Sequence, residues 1–211
     1  AYQHFEEYEP KIFRDLAKLF SKTALEVCEG QQYDVDFETR DDVTIPEYLK
    51  MIEYKTAVLV GAAMKMGAIV AETSVENANL IYDFGLNLGI AFQLQDDYLD
   101  TFGSSEETGK QEGGDIIENK RTLLYLHALR TLTGGDKEEL QYWFNSKPED
   151  SNNKIERVRA LFKQAESDIF LTDLKADFER HALENIEIAC NGSSNKAHIL
   201  ALFDLLKTRK A

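Results

Sequence analysis

Apolar residues recur along this chain at spacings of three and four, which is the period of one face of an α-helix. The clearest stripe follows Pro10, a residue that suits a first helical turn. The stripe consists of Phe13, Leu16, Leu19, Phe20, Thr23, Ala24 and Val27. Only three prolines occur in the 211 residues, and alternating β-branched runs are few. The pattern predicts an all-α fold.

The breaks between apolar stripes predict where the other helices lie. They are expected at about 44–71, 75–101, 118–132, 135–145, 151–190 with a break, and 195–209. The polar stretch 103–114 is predicted to be a loop, long enough to suggest a function. No repeat and no linker composition divides the sequence, so we expect residues 1–211 to form a single helical domain.

Composition limits the partners of the chain. Its net charge of −14 argues against nucleic acid as the main partner and against an anionic membrane surface. The most apolar segment, TAVLVGAAMKMGAIVA, carries Lys65 at its centre and is predicted to be a core helix, not an integral membrane segment. Cys28 and Cys190 form no CxxC motif, which fits a reducing compartment. We expect a cytoplasmic protein.

The segment FQLQDDYLD, residues 92–100, gathers negative charge where its neighbours are apolar. On a helix with about 100° per residue, one amide and three carboxylates fall within a sector of about 100°; they are Gln93, Asp96, Asp97 and Asp100. Gly85 and Gly89 continue this stripe and leave room for a ligand or another helix. Like charges this close destabilise a helix by roughly 0.2–0.5 kcal/mol per pair, so a compensating cation is expected.

The candidate ligands in this cluster are all oxygen atoms, with no histidine or cysteine among them. That donor set selects a hard cation such as Mg²⁺, which usually binds through a few carboxylates and the phosphates of a substrate. The alternative is that DDYLD is the solvated face of a surface helix. The apolar residues of GIAFQLQ, which lead directly into it, argue against that alternative.

Three lysines are candidates for contacts to a phosphate. Lys55 stands beside a core segment, Lys110 lies in the predicted loop, and Lys120 precedes another apolar stripe. A lysine that flanks a helix is more often simply solvated, so each candidate is weak alone. The loop is not a Walker A motif, because no glycine stands five residues before Gly109 and no serine or threonine follows Lys110.

Four segments together resemble a known family. GIAFQLQDDYLD, followed by GK, GGD and NKRT, resembles the second aspartate-rich motif and downstream lysines of the trans-isoprenyl diphosphate synthases, or polyprenyl synthetases. EGQQYD at 29–34 resembles the GQxxD segment of that family, and YKTAVL at 54–59 resembles its KT segment. The matches occur in the family's order. The resemblance implies long helices around a central cavity, in a homodimer.

The resemblance also implies a reaction. In the family, Mg²⁺ and lysines stabilise the diphosphate that leaves an allylic substrate, here expected to be of geranyl or farnesyl type. The double bond of isopentenyl diphosphate then attacks the allylic carbocation, and loss of a proton gives a longer chain by head-to-tail condensation.

The family's motifs imply a role for each matching residue. Asp96, Asp97 and Asp100 would serve the metal, directly or through its waters. Lys55, Lys110 and Lys120 would face the diphosphate. Gln93 and the carbonyl group of Thr56 would lie beside the developing cation. Gln31 and Asp34 would line the site.

One part of the family's pattern has no match. The first aspartate-rich motif should precede EGQQYD, and Asp41-Asp42 is no substitute because Ile45 stands three residues after Asp42. We therefore expect the N-terminal helices to be missing and residues 1–211 alone to be inactive.

Two other classes of protein stay open. One is a non-catalytic partner subunit, which the intact DDYLD motif argues against. The other is a related enzyme, such as a terpene cyclase or a head-to-head synthase. The GQxxD, KT and GK segments favour the elongating branch over that class. The sequence does not indicate the chain length of the product.

Overall fold

The computed structural model of the chain describes residues 2–103, 112–146, 151–191 and 196–207. Within these residues it contains helices and no strand, so the predicted all-α fold is confirmed. A 3₁₀ turn, Tyr2–Phe5, precedes the helices α1 Pro10–Phe37, α2 Ile45–Ile52, α3 Val58–Val70 and α4 Val75–Phe102. These are followed by α5 Gly114–Ile117, α6 Leu123–Thr131, α7 Gly134–Phe144, α8 Ser151–Gln164, α9 Ser167–Ala189 and α10 Lys196–Lys207.

Three helix starts follow directly from local sequence. Pro10 occupies the first turn of α1, where its missing N–H costs no hydrogen bond. Thr44 and Glu47 form a capping box at the start of α2, each side chain accepting from the other residue's backbone N–H. The Ser74 hydroxyl accepts a 3.1 Å hydrogen bond from the Asn77 N–H and caps α4.

The helix predicted over 44–71 is interrupted by a π-turn. Residues Glu53–Ala57 form this turn between α2 and α3, and the Val58 N–H donates to the carbonyl of Glu53, five residues earlier. Turns of this kind are rare and occur frequently at functional sites. The π-turn carries Lys55 and Thr56, two residues of the predicted site.

Glycines bring α4 into close contact with α3 and the π-turn. A β-carbon at Gly85 would lie 2.8 Å from the Cα of Gly61, and one at Gly89 would lie 2.6 Å from the Cα of Ala57. Both distances are shorter than real β-carbons show. Of the two expected uses of these glycines, the approach of another helix is the one observed.

One predicted boundary differs from the structure, and one predicted break is confirmed. The helix predicted at 118–132 is wrong in its first turn, because Asn119 has a φ of 61° and α6 begins only at Leu123. A positive φ cannot continue a right-handed helix. The break predicted within 151–190 falls at Glu166, which has a φ of 54°. Residues 104–111 of the predicted loop lie outside the described residues.

The core surrounds α4. A larger cluster of buried side chains joins α4 to α2 and α6–α9 and includes Leu94, Leu123, Leu124, Leu140 and Phe162. A smaller cluster joins α4 to α9 and α10; it consists of Phe84, Leu88, Ala182, Ile186 and Phe203. None of the described helices is long and apolar enough to cross a membrane.

Candidate active site

A cavity of about 350 Å³ lies where α1, α2, the π-turn, α4 and residues 115–122 meet. Its walls mix charged and apolar side chains: Asp34, Phe37, Glu38, Tyr48, Met51, Ile52, Lys55, Gln93, Asp96, Asp97, Asp100, Asp115, Lys120, Arg121 and Thr122. The structure thus brings the EGQQYD, YKT, DDYLD and NKRT segments to one place.

The EGQQYD and YKT segments form one wall of the cavity. Gly30 of α1 packs against the π-turn so closely that a β-carbon there would lie 2.7 Å from the carbonyl carbon of Tyr54. One turn further along α1, Asp34 accepts a 2.6 Å hydrogen bond from the Lys55 ammonium group. The Lys55 side chain is 38% exposed and that of Asp34 is 28% exposed, so the ion pair is within reach of a ligand.

Asp97 is buried and held by two protein donors. The hydroxyl of Tyr48 donates to Oδ2 of Asp97, and Nε2 of Gln93 donates to Oδ1 at 3.0 Å. The Oγ1 hydroxyl of Thr56 in turn donates to Oε1 of Gln93 at 3.1 Å. Burial raises the pKa of Asp97 to about 7, and the charge of Asp115 adds to the shift, while the hydrogen bonds from Tyr48 and Gln93 oppose it.

Asp100 connects the end of α4 to the segment after the predicted loop. Its Oδ2 accepts a 2.8 Å hydrogen bond from the Asp115 N–H, and its carbonyl accepts one from the Gly113 N–H at 2.8 Å. Burial raises the pKa of Asp100, and the charge of Asp115 adds to this. Lys120 lies 3.0 Å from Oδ1 of Asp115 and 3.1 Å from Oε2 of Glu118. Burial alone would lower the pKa of Lys120, but these two acidic partners raise it above its ordinary range.

A buried lysine supports the turn that precedes Lys120. Lys154 of α8 is 1% exposed, and its ammonium group donates to the side-chain oxygen of Asn119 and, at 3.3 Å, to the carbonyl of Ser146. These bonds hold Asn119 in its left-handed conformation. Lys154 therefore holds the turn at Asn119, which directly precedes Lys120 at the cavity wall.

Of the cavity residues that were not selected from the sequence, three bring polar groups with notable contacts. Asp115 belongs to the GGD segment, where its motif position could have indicated it. Tyr48 stands seven residues before Lys55, close to two helical turns, so helical spacing could have placed it on the same face. Arg121 donates to Asp41 at 2.6 Å, and its other terminal nitrogen is buried with no hydrogen-bond partner among the described residues. Arg121 belongs to the NKRT segment, of which only Lys120 was selected.

Among the described residues, two predicted site residues, Gln31 and Thr56, do not line the cavity. Gln31 is exposed and does not line it, so its role stays a prediction. Lys110 lies outside the described residues. Thr56 is half-buried and reaches the site through its hydroxyl group, which bonds to Gln93.

The donor set of the cavity suits Mg²⁺. Within the four described ranges, no group of three histidine, cysteine, aspartate or glutamate side chains converges tightly enough to hold a metal alone. Four carboxylates nevertheless line the cavity, and they are Asp96, Asp97, Asp100 and Asp115. Burial and mutual repulsion raise the pKa of two of them, which a cation would relieve. Mg²⁺ keeps several waters and takes ligands from phosphates, so the residues fit a metal whose shell a diphosphate completes.

The model of the polyprenyl synthetase family matches residues 1–162, and the chain belongs to that family. It is 53% identical over 106 residues to a geranylfarnesyl diphosphate synthase of Natronomonas pharaonis, covering 50% of this chain and 31% of that one. It is 35% identical over 175 residues to a short chain isoprenyl diphosphate synthase of Methanothermobacter thermautotrophicus, covering 83% of this chain and 53% of that one.

A crystal structure of a geranylgeranyl pyrophosphate synthase has the same fold. It superimposes with a TM-score of 0.92 at 46% identity and covers 100% of this chain and 65% of that one. The resemblance read from the motifs is therefore confirmed at the level of family and fold. The chain spans between 31% and 65% of the length of these three relatives.

Proposed function

We propose that this chain is the part of a trans-prenyltransferase that carries the second aspartate-rich motif. The complete protein would condense isopentenyl diphosphate with an allylic diphosphate, head to tail, in isoprenoid biosynthesis. The observation that carries this proposal is the convergence of the DDYLD carboxylates with Lys55 and Lys120 around one cavity. The chain's relatives, all named as synthases of prenyl diphosphates, support it.

Two lysines would bind the diphosphate. Lys55 is ion-paired with Asp34 and Lys120 with Asp115, and both line the cavity. The carboxylates hold each ammonium group in place before the substrate arrives. Charge that is positioned in advance around a leaving group is usually the largest contribution to this kind of catalysis.

Mg²⁺ bound through Asp96 and Asp100, directly or through water, would supply Lewis-acid stabilisation of the departing diphosphate. Asp96 and Asp100 would hold the cation on the cavity wall formed by α4. The Asp115 N–H fixes the orientation of Asp100 through its 2.8 Å hydrogen bond. The oxygen of the Gln93 amide would lie near the positive charge left on the allyl group when its C–O bond breaks.

The hydrocarbon chain would lie along an apolar groove between α1 and α3, here named the α1–α3 groove. Its volume is about 430 Å³, and its walls are Phe20, Thr23, Ala24, Val27, Cys28, Leu59, Ala62, Ala63 and Met66. Leu59, Ala63 and Met66 follow Lys55 at four, eight and eleven residues, so the part of α3 that lines the groove begins about 6 Å beyond Lys55 and is about 10 Å long. We propose a product longer than farnesyl, of the geranylgeranyl or geranylfarnesyl class named for the relatives.

The test of the function is an assay of the complete protein. It would be incubated with labelled isopentenyl diphosphate, Mg²⁺, and geranyl, farnesyl or geranylgeranyl diphosphate. We expect linear products, no activity in EDTA, and a loss of several orders of magnitude in Asp96→Ala. No product from the complete protein would point to a non-catalytic partner subunit, and a cyclic product to a cyclase. The proposed homodimer is checked by light scattering of the same sample.

The proposed path of the chain has its own test. Ala63→Phe would fill the α1–α3 groove part-way along and should shorten the longest product. Leu25→Phe, at a 60% exposed position of α1 outside the groove, is the control and should leave the product distribution unchanged. Unchanged products from Ala63→Phe would place the hydrocarbon chain elsewhere.

A further inference from the structure

We propose that Asp97 is a positioning residue and not a metal ligand, and that Tyr48 acts through it to orient Gln93. This inference rests on the proposed function. Within the DDYLD motif it assigns metal binding to Asp96 and Asp100, and alignment of the Gln93 amide to Asp97. Asp96 and Asp97 are adjacent in sequence, and nothing in the motif itself separates their roles.

The surroundings of Asp97 argue against direct metal contact. Its side chain is almost fully buried, with 4% exposure, and each carboxyl oxygen accepts a hydrogen bond from a protein donor. The bonds from Tyr48 and Gln93 occupy one of the two lone-pair directions on each oxygen, and burial leaves little access to the others. Loss of either bond to a metal would leave a buried donor without a partner, which is costly. Asp96 is only half-buried at the cavity wall and differs from Asp97 in this respect.

The hydrogen bonds instead fix which way the Gln93 amide faces. An amide has a donor end and an acceptor end, and both carboxyl oxygens of Asp97 act as acceptors here. Asp97 therefore holds the NH₂ end of Gln93, and the carbonyl end turns to the hydroxyl of Thr56 in the π-turn. Tyr48 completes the arrangement because it anchors Asp97 from α2, across the cavity from α4.

This arrangement matters for the reaction because the Gln93 carbonyl carries a partial negative charge. The hydrogen bond from Thr56 holds the Gln93 carbonyl toward the π-turn. Its partial negative charge therefore keeps one orientation toward a cation that forms beside Thr56. Without Tyr48 or the Asp97 carboxylate, the amide could rotate or flip. The expected effect falls on the rate of the chemical step more than on the binding of substrate or metal.

The test compares four variants of the complete protein: Tyr48→Phe, Asp97→Asn, Asp96→Asn and, as a control, Tyr98→Phe. Tyr98 lies on the same helix, where its ring packs 5.2 Å from that of Phe102. Two quantities are measured: the Mg²⁺ concentration that half-saturates binding of inorganic pyrophosphate, and kcat and KM for both substrates.

We expect Tyr48→Phe and Asp97→Asn to lower kcat by about tenfold or more, with KM changed by less than about threefold. Asp96→Asn should raise the half-saturating Mg²⁺ concentration by about tenfold or more, and Asp97→Asn by much less. Tyr98→Phe should behave as the wild type. In a Gln93→Leu background, Tyr48→Phe should cause little further loss of kcat, because both changes act on one network.

Three results would overturn the inference. An Mg²⁺ requirement raised equally by Asp97→Asn and Asp96→Asn would show that Asp97 ligates the metal. An unchanged kcat in Tyr48→Phe, or a full additional loss in the Gln93→Leu background, would show that Tyr48 does not act through Gln93. A wild-type protein that neither binds pyrophosphate with Mg²⁺ nor turns over would overturn the proposed function itself, which distinguishes that outcome from these three.

Discussion

The backbone of Gly30 in α1 lies directly against the backbone of Lys55 in the π-turn. A β-carbon built on Gly30 would overlap the Lys55 nitrogen and lie 2.8 Å from the Lys55 Cα. This contact sets the distance between α1 and the π-turn and allows Asp34 to reach the Lys55 ammonium group. A glycine in the middle of a 28-residue helix therefore has a function in building the cavity wall.

Gly30→Ala should lower the free energy of unfolding. The added methyl group meets backbone rather than a flexible side chain, so α1 and the π-turn must separate. Overpacking of this kind costs about 1–3 kcal/mol, although alanine is favoured over glycine within a helix by roughly 0.5–1 kcal/mol. The free energy of unfolding is measured by urea unfolding of the complete protein. The affinity of Gly30→Ala for pyrophosphate should also be lower than that of the wild type.

Gly67→Ala is the matched control for this prediction. Gly67 lies in α3, and a β-carbon there would have no other atom within 4 Å. The substitution should be neutral or stabilising by up to roughly 1 kcal/mol. Equal effects at both glycines would mean that helix propensity, and not the contact with Lys55, decides the outcome.

Lys55→Ala should weaken binding of an allylic diphosphate at least about tenfold, which corresponds to about 1.4 kcal/mol. It removes a charge that Asp34 holds at the cavity and leaves that carboxylate to repel the substrate. Lys137→Ala, in α7 and away from the cavity, is the control. Titration of both variants with a non-hydrolysable allylic analogue measures the difference; similar affinities would remove Lys55 from the site.

Lys154→Met should destabilise the protein by about 1–3 kcal/mol, because the side-chain oxygen of Asn119 and the backbone carbonyl of Ser146 lose a buried donor. Hydrogen exchange at Asn119 and Lys120 should become faster as their turn loosens. Lys163→Met, in the same helix but with a 53% exposed side chain paired to Asp168, should cost less than about 1 kcal/mol. A larger loss at Lys163 would contradict the role given to Lys154.

His127 should make the protein less stable as the pH falls. Burial, together with the charge of Arg130, lowers the pKa of His127 below its ordinary value of 6.5. The ring stacks on Phe170 at 4.2 Å, and its Nδ1 lies 3.0 Å from the Ser167 hydroxyl. Below pH 6.5 the unfolded chain takes up the proton before the folded one does, so the free energy of unfolding decreases with falling pH.

His127→Gln should reduce this loss of stability between about pH 7.5 and about pH 5.5. Urea unfolding at both pH values gives the loss of stability for the wild type and for His127→Gln, and these two losses are compared. His181→Gln, at an exposed position of α9, is the control and should leave the loss unchanged. The prediction fails if His127→Gln retains the whole pH dependence of the wild type.

Most of the helices and part of the cavity lining followed from the sequence, because both depend on local patterns. Apolar spacing located α4 and α7 to within one residue, and Pro10 located the start of α1. Helical spacing put Gln93 and the three aspartates on one face, and the structure places all four at the cavity. The motif order indicated that Asp34, Lys55 and Lys120 would join them.

Features that depend on contacts between distant segments could not be predicted in this way. The burial of Asp97 depends on Tyr48, 49 residues earlier in the chain. Asn119 adopts a positive φ through its bond to Lys154 on a later helix, and this delayed the start of α6. The π-turn depends on how α1 and α4 pack on both of its sides, and no spacing rule distinguishes it from an α-helical turn.

The positions of Lys55 and Thr56 depend on the π-turn, whereas the helical fold does not. A π-turn is a turn of α-helix that contains one additional residue, so its hydrogen bond spans five residues instead of four. Removal of one residue from Glu53–Ala57 would restore an ordinary helix and leave α2 and α3 facing their present neighbours. Lys55 and Thr56 would lose their places, while the fold would persist. On the proposed function, a single codon deletion would remove the diphosphate site from the complete protein and leave its helical fold.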